Sequence, residues 1–202
     1  YTTVNAFQAQ IGLAMELQRY PQALHHLETF QKFISQPHLS ASGKFLDKYA
    51  HILASYYQVS TNMYLGRAEV TETAVEKAMA QLKQLKQDSV WHIFLRLRIA
   101  MATFSLGQYA RAKAIIVSLQ ERSDVRPDVQ NLLLMLRFMV DYELANFDQA
   151  EYLYRQGLRR LMRVGLDVPQ DRRLMVHFRR LMTEREEAPE HFLEMEAFLR
   201  EI

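Results

Sequence analysis

A seven-residue phrase recurs along this 202-residue chain: an apolar residue, a small or polar one, any residue, an aromatic, two more residues, then alanine. It reads Leu106-Gly107-Gln108-Tyr109-Ala110-Arg111-Ala112, again Leu144-Ala145-Asn146-Phe147-Asp148-Gln149-Ala150, and once more Leu17-Gln18-Arg19-Tyr20-Pro21-Gln22-Ala23. Each copy stands between two stretches whose apolar residues step by three and four, the spacing of one helical face. The aromatic can wedge into the corner of an antiparallel helix pair, and the alanine lets the two backbones approach. A single helix-turn-helix unit cannot bury its apolar face alone, so its recurrence points to hairpins stacked on one another.

The pattern between the turns places the helices. Val4, Phe7, Ile11, Ala14, Met15 and Leu17 predict a first helix over 4–18. Leu24, Leu27, Phe30, Phe33 and Ile34 predict a second, which Pro21 can open and Ser35-Gln36-Pro37 ends. A broad stripe from Phe45 to Tyr64 predicts a third helix over 44–65, stopped by Gly66. The fourth is expected over 71–87, and the fifth begins at an Asp88-Ser89 cap and runs through Trp91, Phe94, Arg98 and Met101 toward Gly107. Helices over 110–120, 129–145, 147–164, 172–184 and 189–199 complete about ten, in five hairpins. No segment alternates with period two, so the expected class is all-α. Six glycines and five prolines agree with long helices rather than many turns.

These turns resemble those of tetratricopeptide repeats. In that family the first helix ends in glycine or a small residue, an aromatic stands two positions on, and a small residue follows three positions later. Gly107, Tyr109 and Ala112 match at all three places; Ala145, Phe147 and Ala150 match with alanine for glycine; Gln18, Tyr20 and Ala23 match at two. Tyr109 and Phe147 are 38 positions apart, against ~34 for the family's unit. The span from Tyr20 to Tyr109 leaves room for one irregular copy, its turn expected around Gly66–Ala74 with extra residues. Phe138 and Gly157 stand where the family has a small residue and an alanine. The resemblance implies an α-solenoid, a right-handed superhelix of antiparallel hairpins over 1–164, with a C-terminal capping helix pair over 165–202. It also implies a concave groove, lined by the first helix of each hairpin, that receives a peptide or partner helix. Aligned on the turns, groove positions fall on Phe94, Leu97, Met101, Phe104 and Ser105, on Leu132, Met135, Met139, Tyr142 and Glu143, and on Tyr56, Ser60, Met63 and Tyr64. The binding set expected from these is Tyr56, Met63, Phe94, Arg98, Met101, Met135, Met139 and Tyr142, with Arg98 placed to hold a carboxylate.

Other chemistries leave no trace. Gly12, Gly43, Gly66, Gly107, Gly157 and Gly165 are isolated, and no glycine-rich phosphate loop occurs. His25 and His26 are adjacent, about 100° apart on a helix and poorly set to share a metal. His51, His92, His177 and His191 fall in separate helices. Asp141, inside an apolar stretch, is expected to pair with Arg98 or Arg137. No serine stands in a recognisable nucleophile setting. The expectation is therefore a chain that is not an enzyme and takes no cofactor or metal. The absence of cysteine excludes disulfides and is compatible with a reducing, cytoplasmic compartment. No stretch reaches the roughly 18 apolar residues of a membrane span, and the most apolar run, Leu132 to Val140, is interrupted by Arg137. A first residue of tyrosine reads as an internal fragment.

A formal net charge of +2 gives no strong pull toward nucleic acid. Arginines nevertheless concentrate late: Arg155, Arg159, Arg160, Arg163, Arg172, Arg173, Arg179 and Arg180 meet only Glu151, Asp167 and Asp171 in that stretch. Two functions follow. The first is a non-catalytic scaffold or adaptor that grips a protein in the groove. The second is a regulatory module that touches nucleic acid or an acidic partner through Arg159, Arg160, Arg163, Arg172 and Arg173. Self-association through the terminal helices is a third way for such a chain to find a partner.

Overall fold

The computed structural model describes residues 2–36, 44–83, 90–164, 169–184, 190–191 and 193–194, and within these the side chains outside 44–47, 160–164 and 169–174. Nine helices occupy the described residues, and no strand is found among them: α1 (Thr2–Glu16), α2 (Tyr20–Ile34), α3 (Lys44–Tyr64), α4 (Ala68–Leu82), α5 (Val90–Ser105), α6 (Tyr109–Gln120), α7 (Pro127–Glu143), α8 (Phe147–Val164) and α9 (Pro169–Thr183). The structure is all-helical over the described residues, and within α1–α6 and within α7–α9 helices adjacent in sequence pack on one another. The Asp88-Ser89 cap, the loop over 165–168 and most of the expected last helix lie outside the described residues.

One backbone device closes every described hairpin. Gln18, Gly66, Gly107 and Ala145 all adopt the left-handed conformation, with φ of 55°, 66°, 72° and 57°. In each turn the amide of that residue donates to the carbonyl three back, and the next amide donates to the carbonyl five back. The pairs are Gly107 to Phe104 (2.9 Å) and Gln108 to Thr103 (2.9 Å) in one turn, Ala145 to Tyr142 (2.9 Å) and Asn146 to Asp141 (2.8 Å) in another. This double closure satisfies two of the carbonyls that a helix end leaves open. Five residues after each left-handed residue stands a small buried one: Ala23, Thr71, Ala112 and Ala150, all at most 1% exposed.

The second turn therefore carries no extra residues, contrary to the expectation around Gly66–Ala74. Helix α4 begins at Ala68, not Thr71. Ala68 takes the place of the aromatic and Thr71 the place of the alanine, so the residue pattern hides a turn of ordinary length. The excess length sits between hairpins instead, in connections of nine, seven and six residues after α2, α4 and α6. The aromatics do close corners: Phe104 meets Tyr109 at 5.4 Å and Tyr142 meets Phe147 at 5.6 Å between ring centroids. With Ala68 in the second corner, Tyr20 stacks on Tyr64 of α3 instead, at 5.1 Å.

The chain divides into two compact units, residues 1–125 and 126–202. The division falls at the Ser123–Asp128 break, and the pair α7 and α8 shares its unit with α9. In the first unit α1 pairs with α2, α3 with α4 and α5 with α6; α2 also packs on α3, α4 on α5, and the first helices touch in the order α1, α3, α5. Ile11, Leu27, Phe30 and Leu53 are almost wholly buried between the first three helices. The stacking repeats in register. Tyr57 and Arg98 both lie nine residues before a left-handed glycine. Tyr57 donates its hydroxyl to the Gln8 carbonyl (3.3 Å), and Arg98 donates Nε to the Tyr56 hydroxyl (2.9 Å). Gln8 and Tyr56 both lie ten residues before the left-handed residue of the preceding hairpin.

In the second unit Phe138, Phe178 and Leu181 form the centre with Leu134, Ala150, Leu153 and Met175. The Phe138 ring stacks on Phe178 of α9 at 4.3 Å. Gly157 makes room on α8: a Cβ there would stand 2.7 Å from Leu134 Cδ2. Asp141 is fully buried and paired with Arg137 Nε at 2.5 Å, one turn away on the same helix, one of the two partners expected for it. Asn146 Nδ2 also donates to Asp141 (3.3 Å), which ties the acid to the turn that follows it. No described helix is long and apolar enough to cross a membrane.

Candidate protein-interaction site

Helices α3 and α5 lie side by side in the first unit and present one continuous strip of rings. Tyr56 and Met63 on α3 and Phe94, Arg98 and Met101 on α5 are each half-buried, and Tyr64 is 44% exposed. Their steps of three, four and seven keep them on one helical face. Trp91, two turns before Arg98, joins the strip: its ring lies 5.3 Å from Tyr49, 6.5 Å from Tyr56 and 6.2 Å from Phe94. Tyr49 is two turns before Tyr56 and donates its hydroxyl to Gln8 Oε1 of α1 at 2.8 Å. Such rings supply large apolar area with little rotamer entropy to lose, which suits a surface that binds another chain.

Arg98 is the only cation on this strip. Its Cζ stands 5.1 Å from the centre of the Tyr56 ring, its Nε donates to the Tyr56 hydroxyl, and its Nη1 donates to the Tyr64 hydroxyl at 3.4 Å and approaches Met101 Sδ at 3.8 Å. Burial works against the charge, but the Tyr56 and Tyr64 phenols outweigh it and hold the guanidinium pKa above its ordinary value. Among the described residues no carboxylate pairs with Arg98, in contrast to Arg111, Arg122, Arg126, Arg137, Arg155 and Arg180. A guanidinium has five N–H donors, and the phenols fix its plane while leaving Nη2 unused among the described groups. The arrangement can therefore accept a carboxylate on a preset fork and lay apolar side chains against the flanking rings.

Next to it, Tyr57 faces inward. Burial, with the neighbouring Tyr56 and Tyr49, pushes its hydroxyl up to about 12. It stays a hydrogen-bond donor to α1 and takes no part in the exposed strip.

Two expected groove positions are closed. Ser60 is 1% exposed, with its hydroxyl turned back onto the Tyr56 carbonyl at 2.8 Å, and Leu97 is 5% exposed because α5 is packed by α3, α4 and α6. Met135, Met139 and Tyr142 are half-buried and pack against the core of the second unit, as Tyr56 and Trp91 do against the core of the first. The continuous strip described above belongs to the first unit. Tyr64 is among the positions that alignment on the turns places in the groove; Trp91 and Tyr49 are parts of the strip that it does not include. The seven-residue spacings Tyr49–Tyr56 and Trp91–Arg98 were the available signal.

Of the arginine patch, the side chains of Arg160, Arg163, Arg172 and Arg173 lie outside the described residues. Arg159 is exposed and donates to the Arg155 carbonyl at 3.2 Å. Arg155 pairs with Glu151, and Arg180 with Glu194 at 2.6 Å. Among the described residues, no three His, Asp or Glu side chains converge as a metal site would require. No family model matches this chain, and no curated protein or solved structure matches it.

Proposed function

We propose that this chain is a non-catalytic protein-interaction module of tetratricopeptide-like hairpins, a scaffold or adaptor that receives a peptide or partner helix on the Tyr56–Met63–Phe94–Arg98–Met101 strip. Four hairpin turns with one backbone geometry support the repeat reading. The observation that carries the binding reading is Arg98: a half-buried guanidinium framed by phenols, with no carboxylate partner among the described residues. A partner with an acidic side chain beside apolar residues meets that chemistry. The absence of cysteine fits a cytoplasmic setting. Arg155 and Arg180, beside the expected arginine patch, pair with glutamates.

The test is a synthetic peptide array in matched pairs, each apolar segment made with Glu and again with Gln. Binding concentrates on the Glu members, and Arg98→Met weakens it by about tenfold or more, the scale of a charge-assisted hydrogen bond. Tyr56→Phe, which keeps the ring and removes the hydroxyl, weakens it less. Equal binding of Glu and Gln peptides, or an Arg98→Met chain that binds as before with an unchanged melting curve, would refute the reading.

A further inference from the structure

Building on the reading of Arg98 given above, we infer that the strip takes its partner as an α-helix of seven-residue apolar repeats, with one Glu or Asp at a core position of that helix, opposite Arg98. Trp91, Phe94, Arg98 and Met101 step by three, four and three, and Ser105, exposed, continues the series four residues on. At 3.6 residues per turn these five positions fall within an arc of about 80°. That is the narrow seam of a coiled coil, not the broader face a helix turns to a globular core. On α3, Tyr49, Tyr56 and Met63 step by seven and make a second row. The rows are tied together: Trp91 meets Tyr49 at 5.3 Å and Tyr56 at 6.5 Å, and Arg98 Cζ stands 5.1 Å from the centre of the Tyr56 ring. A helix laid along them meets a surface that repeats every seven residues for roughly 20 Å, the length of two heptads.

Backbone hydrogen bonding decides for a helix over an extended peptide. An extended ligand brings one N–H and one C=O per residue, each in need of a partner, and covering such a group without one costs about 1–3 kcal/mol. The strip meets it with rings, thioethers and phenols already engaged: Tyr49 with Gln8, Tyr56 and Tyr64 with Arg98. A helix satisfies its own backbone and lays down side chains alone. The place of the acid follows from the place of Arg98, third of the five seam positions, with Phe94 four residues before it and Met101 three after. A carboxylate that reaches it comes from the middle of the partner's apolar stripe. One polar residue at a core position fixes the register of packed helices, and here the charge of Arg98 selects which residue that is.

Trp91 is the only tryptophan of the chain, so its emission reports occupancy of the seam directly. The probes are synthetic three-heptad peptides without tryptophan, leucine at the core positions and one Glu at the central one. Three relatives accompany the parent: Gln in place of that Glu, the Glu exchanged with an outward-facing neighbour, and proline at a central outward position, which breaks the helix without touching the seam. All changes are in the peptide, so the fold of the protein is not at stake. The parent peptide shifts the Trp91 emission and gains helical circular dichroism as it binds. Each relative binds at least about tenfold more weakly. A proline peptide that binds as tightly as the parent, or a Glu that serves equally well on the outward face, overturns the helix while a retained preference for Glu over Gln leaves the reading of Arg98 standing. No binding by any of the peptides, or equal binding of the Glu and Gln members, removes both.

Discussion

Gly107→Ala and Ala145→Gly should change stability in opposite directions, although both residues perform the same task. Gly107 has φ of 72°, and no atom lies within 4 Å of the point where its Cβ would stand. Adding the methyl group therefore meets no neighbour and costs only the left-handed conformation of an L-residue, about 1–2 kcal/mol. Alanine also narrows the unfolded ensemble, which returns about 0.4–1 kcal/mol. The net is a loss of about 1 kcal/mol. Ala145, at φ of 57° and exposed, already carries that strain and buries no side chain that glycine would forfeit. Ala145→Gly should therefore gain about 0.5–1 kcal/mol. Urea unfolding followed by circular dichroism reads both, and the corresponding shifts in thermal midpoint are about 2–4 °C. The slope against urea should stay constant, since neither change alters the area exposed on unfolding. A neutral Gly107→Ala, or an Ala145→Gly that destabilises, would mean that the left-handed link is not what turns the chain back at these corners.

Two further outcomes follow from packing and from proton linkage. Gly157→Ala gains about 1 kcal/mol of helix propensity but sets a Cβ 2.7 Å from Leu134 Cδ2. It should be close to neutral alone and become stabilising by about 1 kcal/mol in a Leu134→Ala background, a coupling that a double-mutant cycle measures. Tyr57 titrates near 10 when unfolded and at about 12 in the folded chain, so the unfolded state loses its proton first as pH rises. Its contribution is whole below pH 10 and fades through pH 12, by up to about 2–3 kcal/mol. Tyr57→Phe should flatten the decline of stability across that window relative to the parent chain, and an unchanged decline would sink the assignment.

The turns were legible in sequence because their chemistry is local: a small or left-handed-tolerant residue, an aromatic two on, an alanine three further. Where local chemistry was replaced, legibility failed. Ala68 and Thr71 fill the second turn with residues that signal nothing individually, and the turn was read as longer than it is. The site was legible only in part, for a related reason. Tyr56, Met63, Phe94, Arg98 and Met101 came from alignment on the turns, which gives the face of a helix but not what covers it. Burial of Ser60 and Leu97 depends on how tightly α3 and α5 are packed by their neighbours, and no spacing encodes that. The register also explains what alignment could not. Position nine before the left-handed residue is occupied by Ala9, Tyr57 and Arg98 in successive hairpins. In α3 it seals the stack with a phenol, and in α5 it does so with a guanidinium that has donors left over after bonding Tyr56 and Tyr64. One structural position, filled by a residue with more hydrogen-bonding capacity than stacking consumes, thus becomes a place where a second molecule can be held.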